Sequence, residues 1–267
     1  MTSTSTVFER ARAEDRAALI GYLPAGYPSV EGSIRAMRTM VEAGCDAIEI
    51  GLPYSDPVMD GPTIQAAAQA ALDGGVRTAD VMRVVEEVAA TGVPTLVMTY
   101  WNPVERYGVQ RFAANLARAG GAGLITPDIT PDHGAEWIAA ADEHDLDKVF
   151  LVAPSSTDER ITMTAHESRG FVYAAAVMGV TGARDATSDL AGPLVRRVRA
   201  AGDVPVAVGI GVSNGDQAAE VAGFADGVIV GSAFVRCLLD HEGDEAAGLD
   251  ALRNLTADLA DGVRRAR

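Results

Sequence analysis

The sequence predicts an α/β fold, a single (βα)8 or TIM barrel with an extra N-terminal helix, and three observations predict it. Eight short β-branched runs recur along the 267 residues, amphipathic stretches at helical spacing separate them, and no linker or low-complexity segment interrupts the alternation. One barrel commonly takes a chain of this length, and such a chain buries a sizeable core. Eight consecutive repeats favour a closed barrel over an open doubly wound sheet, so residues 1–267 are read as one domain.

A helix around Thr6 to Glu14 precedes the first strand and is placed to plug the bottom of the barrel. The strand-like runs are ALIGYLP (18–24), AIEIGLP (47–53), PTLVMTY (94–100), GLITPD (123–128), KVFLVAP (148–154), FVYAAA (171–176), PVAVGIG (205–211) and DGVIVGS (226–232). Between the first two, SVEGSIRAMRTMVEAG repeats apolar Ile34, Met37 and Val41 at helical spacing and closes on Gly44. TADVMRVVEEVAATG, before the third run, is expected to end likewise at Gly92. Two connections are long: LPYSDPVMDGPTIQ after strand 2 and VMGVTGARDATSDL after strand 6. Long loops in a compact domain commonly bind ligands or close over them.

Composition narrows the function classes. A formal charge of −15 opposes phosphate backbones and anionic membrane surfaces, so neither nucleic acid nor membrane is an expected partner. The N-terminus has no apolar signal segment, and nothing approaches the roughly 18 apolar residues of a membrane span, so a cytoplasmic location is expected. Cys45 and Cys237 lie far apart in apolar runs and read as buried free thiols of a reducing compartment.

In a (βα)8 barrel the chemistry collects where strands run into the following loops. Glu49 alternates with Ile48 and Ile50; with the isoleucines turned to the helices, it points into the barrel. Burial there raises a carboxyl pKa from roughly 4.3 toward neutrality, as suits an acid-base group, whereas a hydrogen-bonded structural glutamate is the alternative. Asp60 and Asp56 lie in the loop after that strand, and either is also of the type that caps a helix. Glycine-rich ends of strands 7 and 8, VGIGVSNGDQ and IVGSAFV, offer backbone N–H groups, and Gly231-Ser232 opens a helix whose dipole attracts an anion. A phosphorylated small molecule is thereby accommodated without basic side chains. The only lysine, Lys148, starts strand 5 at the end opposite these loops, which argues against a Schiff base. The strands carry no His and carboxylate cluster of metal-ligand kind, and the four histidines, His133, His144, His166 and His241, fall in helices, connections or a polar turn, so no metal is expected.

The strings IEIGLPYSDPVMDGPTIQ, MTYWNPVERYG, MGVTGAR, VGIGVS and GSAFV, in this order and spacing, resemble the tryptophan synthase α subunit family over nearly the whole chain. That resemblance implies retro-aldol cleavage of indole-3-glycerol phosphate to indole and glyceraldehyde 3-phosphate. It implies that Glu49 moves protons between the glycerol hydroxyl and indole C3, and that Asp60 stabilises positive charge on the indole nitrogen. Gly182, Gly211, Gly231 and Ser232 match phosphate-binding positions. Tyr22, Met98, Tyr100, Ile125, Leu151 and Tyr173 match the pocket wall, and Thr181 matches a loop hydroxyl that meets the carboxylates on closure. Asp56, Pro57 and Asn102 match the face that docks a β subunit in an αββα complex, where indole is passed on for tryptophan synthesis. The resemblance puts pyridoxal phosphate in that subunit and no cofactor in this chain.

Ala176 and Val177 depart from the serine and arginine common in the family, Tyr22 replaces a common phenylalanine, and Met59 is bulkier than usual. The competing readings are another phosphosugar barrel enzyme, against which IEIG with SDPVMDG speaks, a subunit that only binds and activates its partner, and a stand-alone lyase.

Overall fold

The structure is a computed structural model that describes residues 3–175 and 188–266. Strands β1 (Ala18–Pro24), β2 (Ala47–Gly51), β3 (Thr95–Met98), β4 (Gly123–Thr126), β5 (Asp147–Val152), β6 (Val172–Ala175), β7 (Val206–Gly209) and β8 (Gly227–Val230) form one closed parallel barrel in sequential order. Around it run α1 (Ser5–Ala13), α2 (Val30–Ala43), α3 (Pro62–Asp73), α4 (Thr78–Ala89), α5 (Trp101–Tyr107), α6 (Val109–Arg118), α7 (Ala135–Glu143), α8 (Asp158–Glu167), α9 (Ser188–Ala201), α10 (Gly215–Ala222), α11 (Ser232–Leu239) and α12 (Glu245–Arg264). All eight expected strands are present. Most are shorter than their apolar runs, because runs such as AIEIGLP continue past the last ladder bond into the loop that carries the site.

Strand alternation divides the apolar residues into two layers. Ile20, Ala47, Leu96, Ile125, Val149, Ala207 and Ile229 face inward and pack on one another, whereas Ile48, Ile50, Val97, Leu124 and Val208 join the larger core beneath the helices. Glu49, between two outward isoleucines, therefore lies inside the barrel and is fully buried. The N-terminal helix does plug the bottom. Val7, Phe8 and Ala11 enter the inner layer, with the Phe8 and Phe171 rings 5.5 Å apart, and burying such a ring contributes about 2–3 kcal/mol.

Polar bonds fasten the same end. The Asp147 carboxylate accepts from the Thr4 N–H at 2.8 Å and the Thr4 hydroxyl at 2.6 Å. Lys148 donates to Asp142 of α7 at 2.8 Å, so it belongs to the outer layer. Helix α2 ends at Gly44, whose φ of +125° suits glycine alone, but α4 ends at Ala89, before Gly92. There, successive three-residue bonds from Thr91 to Val88 and from Gly92 to Ala89 tighten the chain out of the helix. Cys45 is buried as expected; Cys237 is only half-buried, because it sits on the flank of α11. No helix among the described residues is long and apolar enough to cross a membrane.

Candidate active site

The C-terminal ends of the strands bring two carboxylates and three phenols together. Glu49 pairs in register with Tyr22 on one side and Leu96 on the other, so its side chain emerges between β1 and β3. Neither of its carboxylate oxygens has a hydrogen-bond partner among the described residues. Burial without compensation disfavours the anion and pushes the Glu49 pKa up to about 8. The structural alternative, a glutamate satisfied by barrel polar groups, finds no support among those residues.

Asp60 approaches from the loop between β2 and α3. That helix is opened by Gly61 at its cap and Pro62 at its first position, with no side-chain cap, so Asp60 is not engaged in capping. Burial raises the Asp60 pKa, and the neighbouring Tyr100 hydroxyl opposes the rise. The same hydroxyl accepts from the Met59 N–H at 2.9 Å, and the rings of Tyr54 and Tyr100 lie 5.3 Å apart. Burial pushes the Tyr100 phenol up to about 12. Burial also raises Tyr22, with Asp60 and Glu49 adding to the rise, and raises Tyr173, on which Glu49 and Asp60 both act. The five groups thus share one electrostatic environment.

Tyr22 and Tyr173 fit because glycine stands where they pass. A Cβ on Gly51 would overlap the Tyr22 hydroxyl, and one on Gly209 would overlap that of Tyr173. Met98, Leu151 and Tyr173 pack half-buried on the inner layer, and Ile125 lies fully buried below them. These side chains, with Tyr22 and Tyr100, stand at the C-terminal ends of β1 and β3 to β6.

Across the mouth, Gly209 of β7 pairs with Ile229 of β8, so Gly211 and Gly231 each stand two residues beyond a paired position at neighbouring strand ends. Gly211 is exposed with φ +81°, a conformation that disfavours other residues. Gly231 caps α11, whose first helical residue is Ser232, and no side chain caps that first turn. Gly182 and Thr181, together with Ala176 and Val177, lie outside the described residues. Asp56 and Asn102 are exposed and Pro57 half-buried on the rim, beside Val58 at 80% and Met59 at 42% exposure. A groove of about 460 Å³ lies alongside, bounded by Leu52, Pro53, Arg77, Pro103 and Tyr107.

Sequence reading missed Tyr54, Gly51, Gly209 and Asp128. Each stands at or just past a strand end, the one signal that marks them. Asp128 accepts the Trp101 N–H with both oxygens, at 2.9 and 3.1 Å.

Residues 8–264 match the family model described as tryptophan synthase alpha chain. Curated tryptophan synthase alpha chains from Salinispora arenicola and Mycobacterium marinum are 63% and 60% identical, covering 99% and 97% of this chain and 98% and 94% of their own lengths. A solved structure of tryptophan synthase from Mycobacterium tuberculosis superposes with a TM-score of 0.92 at 57% identity, over 99% of each chain. The tryptophan synthase subunit alpha of Legionella pneumophila retains a TM-score of 0.89 at 28% identity, over 98% of each chain. This chain belongs to the tryptophan synthase alpha chain family, a lyase of tryptophan biosynthesis that cleaves indole-3-glycerol phosphate to indole and glyceraldehyde 3-phosphate.

Proposed function

We propose that Glu49 and Asp60 carry this cleavage as an acid-base pair, without Schiff base or metal. The observation that supports it is the buried Glu49 carboxyl, without a partner among the described residues, which acts with Asp60 on the Tyr22 and Tyr173 phenols at the barrel mouth. With its pKa near 8, Glu49 holds a proton at neutral pH and delivers it to indole C3, which turns the ring into a cationic imine. Asp60 stabilises the positive charge on the ring nitrogen. The resulting Glu49 carboxylate, a stronger base than an ordinary one, takes the proton of the glycerol C1′ hydroxyl. The C3–C1′ bond then breaks, its electron pair restores the aromatic indole, and C1′ leaves as the aldehyde carbon. Glu49 ends in the state in which it began.

Tyr22, Met98, Tyr100, Ile125, Leu151 and Tyr173 form the wall against the flat indole ring. Gly211, Gly231 and Ser232, with Gly182, bind the phosphate through backbone N–H groups, which accords with so acidic a protein. Thr181 closes onto the carboxylates. On the rim, Asp56, Pro57 and Asn102 with exposed Val58 and Met59 form the docking face for a β subunit, in an αββα assembly in the cytoplasm. The exposed apolar residues and the adjoining groove favour that face. Pyridoxal phosphate belongs to the β subunit, and residues 1–267 act as one domain.

The test is indole release from indole-3-glycerol phosphate by the purified chain, with and without a tryptophan synthase β subunit. Slow release that rises on adding β is expected. Absence of release in both conditions would point to a subunit that only binds its partner.

A further inference from the structure

The segment 99–101 is held to the neighbouring β4 region on both sides of Tyr100. The Thr99 N–H donates to the Ile125 carbonyl at 3.2 Å, and the Trp101 N–H donates to both oxygens of Asp128 at 2.9 and 3.1 Å. Tyr100 is the cap residue of α5 but supplies no side-chain cap, because its phenol is turned to the β2–α3 loop. Asp128 provides the missing cap from a different strand end, and a charged acceptor at a helix N-terminus makes a strong hydrogen bond.

From Tyr100 the connection runs on to that loop. The hydroxyl accepts from the N–H of Met59, the residue before Asp60, at 2.9 Å, and the Tyr54 ring lies 5.3 Å from the phenol ring. A shift of the 100–101 backbone therefore moves two attachment points of the loop at once, one of them next in the chain to Asp60. The Asp60 carboxylate itself makes no cap bond to α3 that would hold it independently.

We infer that Asp128 is a positioning residue for the cleavage, setting Asp60 against the indole nitrogen through the Trp101 N–H and the Tyr100 side chain. It touches neither substrate nor reacting atoms. The inference rests on the role proposed above for Asp60, and it adds a residue of the loop after β4 to that site.

Asp128→Ala removes the cap, and Asp128→Asn retains an oxygen able to accept from Trp101. Asp128→Ala is expected to lower kcat about tenfold with KM changed less than twofold, and Asp128→Asn to recover most of the loss. The groups that act with Asp60 are Tyr22 from β1, Tyr100 from the end of β3 and Tyr173 from β6. The Tyr100 hydroxyl favours the Asp60 anion, so loosening Tyr100 should make Asp60 ionise at higher pH in Asp128→Ala, as in Tyr100→Phe, by carboxyl 13C titration. In the Tyr100→Phe background, Asp128→Ala should cost less than a further twofold.

Wild-type kcat and Asp60 titration in Asp128→Ala would overturn the inference. So would full additivity with Tyr100→Phe, or a fall in thermal stability with kcat and titration unmoved. Wild-type turnover in Asp60→Asn would instead overturn the role of Asp60, while the titration coupling between positions 128 and 60 remained measurable.

Discussion

Two carboxylates three residues apart, Asp46 at the bottom of the barrel and Glu49 within it, are provided for in opposite ways. Asp46 accepts from Arg16 twice, at 2.7 and 2.9 Å, from Arg10 at 2.9 Å and from the Leu19 N–H at 2.9 Å. Glu49 is more deeply buried and has no partner among the described residues. The bottom of the barrel satisfies its charges and closes on α1; the mouth leaves a carboxyl without a partner among the described residues, which favours its protonated form. Folding alone favours the first arrangement, so the second accords with the catalytic role proposed for Glu49.

The largest effect that would sharpen this contrast is on turnover. Glu49→Gln keeps the shape and removes proton transfer, so kcat should fall about 10⁴-fold while affinity for a phosphate-bearing ligand stays within about tenfold. Turnover near that of the wild type in a steady-state indole assay would break the contrast at its functional end.

At the bottom the corresponding change should affect stability instead. Asp46→Ala leaves the Arg16 guanidinium, 7% exposed, without its main partner and should cost about 3–5 kcal/mol in chemical denaturation, with kcat of the folded fraction unchanged. Loss of activity without loss of stability would assign the bottom a catalytic role it lacks in this account. Asp147→Asn should be milder. It weakens the charge-assisted bonds to Thr4, costs about 1–2 kcal/mol, and leaves turnover as it was.

Legibility in the sequence followed the range of the forces involved. Strand order and the inward direction of Glu49 were readable because alternation and a uniform βα repeat are local patterns, and Ile48 and Ile50 announced which face was outward. Strand ends were not, because where AIEIGLP leaves the ladder depends on its neighbours and not on its own apolarity. Asp60 could be located but not assigned between capping and chemistry, because its neighbour Tyr100 lies forty residues away in sequence. Asp128 was passed over for the same reason. Its partner is a backbone N–H of another loop, and nothing in TPDITPD signals that contact. The strings that resemble the family marked positions whose physical roles, such as the space Gly51 leaves for Tyr22, became visible only in three dimensions.

The central claim is that Glu49 keeps its proton at neutral pH because the folded barrel does not compensate its charge. Below pH 4.5, the ordinary value for this group, folded and unfolded chains both hold the proton and Glu49 imposes no electrostatic cost. As pH rises the unfolded chain ionises first, so Glu49 subtracts stability progressively, by about 3 kcal/mol at pH 7, until the folded group ionises near 8 and the loss levels off. The decisive measurement is the denaturant stability of the wild type minus that of Glu49→Gln, followed from pH 4 to 9. The account predicts a difference that falls between about pH 4.5 and 8 and is flat above. A difference independent of pH over that window would mean that Glu49 ionises as it does in water, and would contradict it.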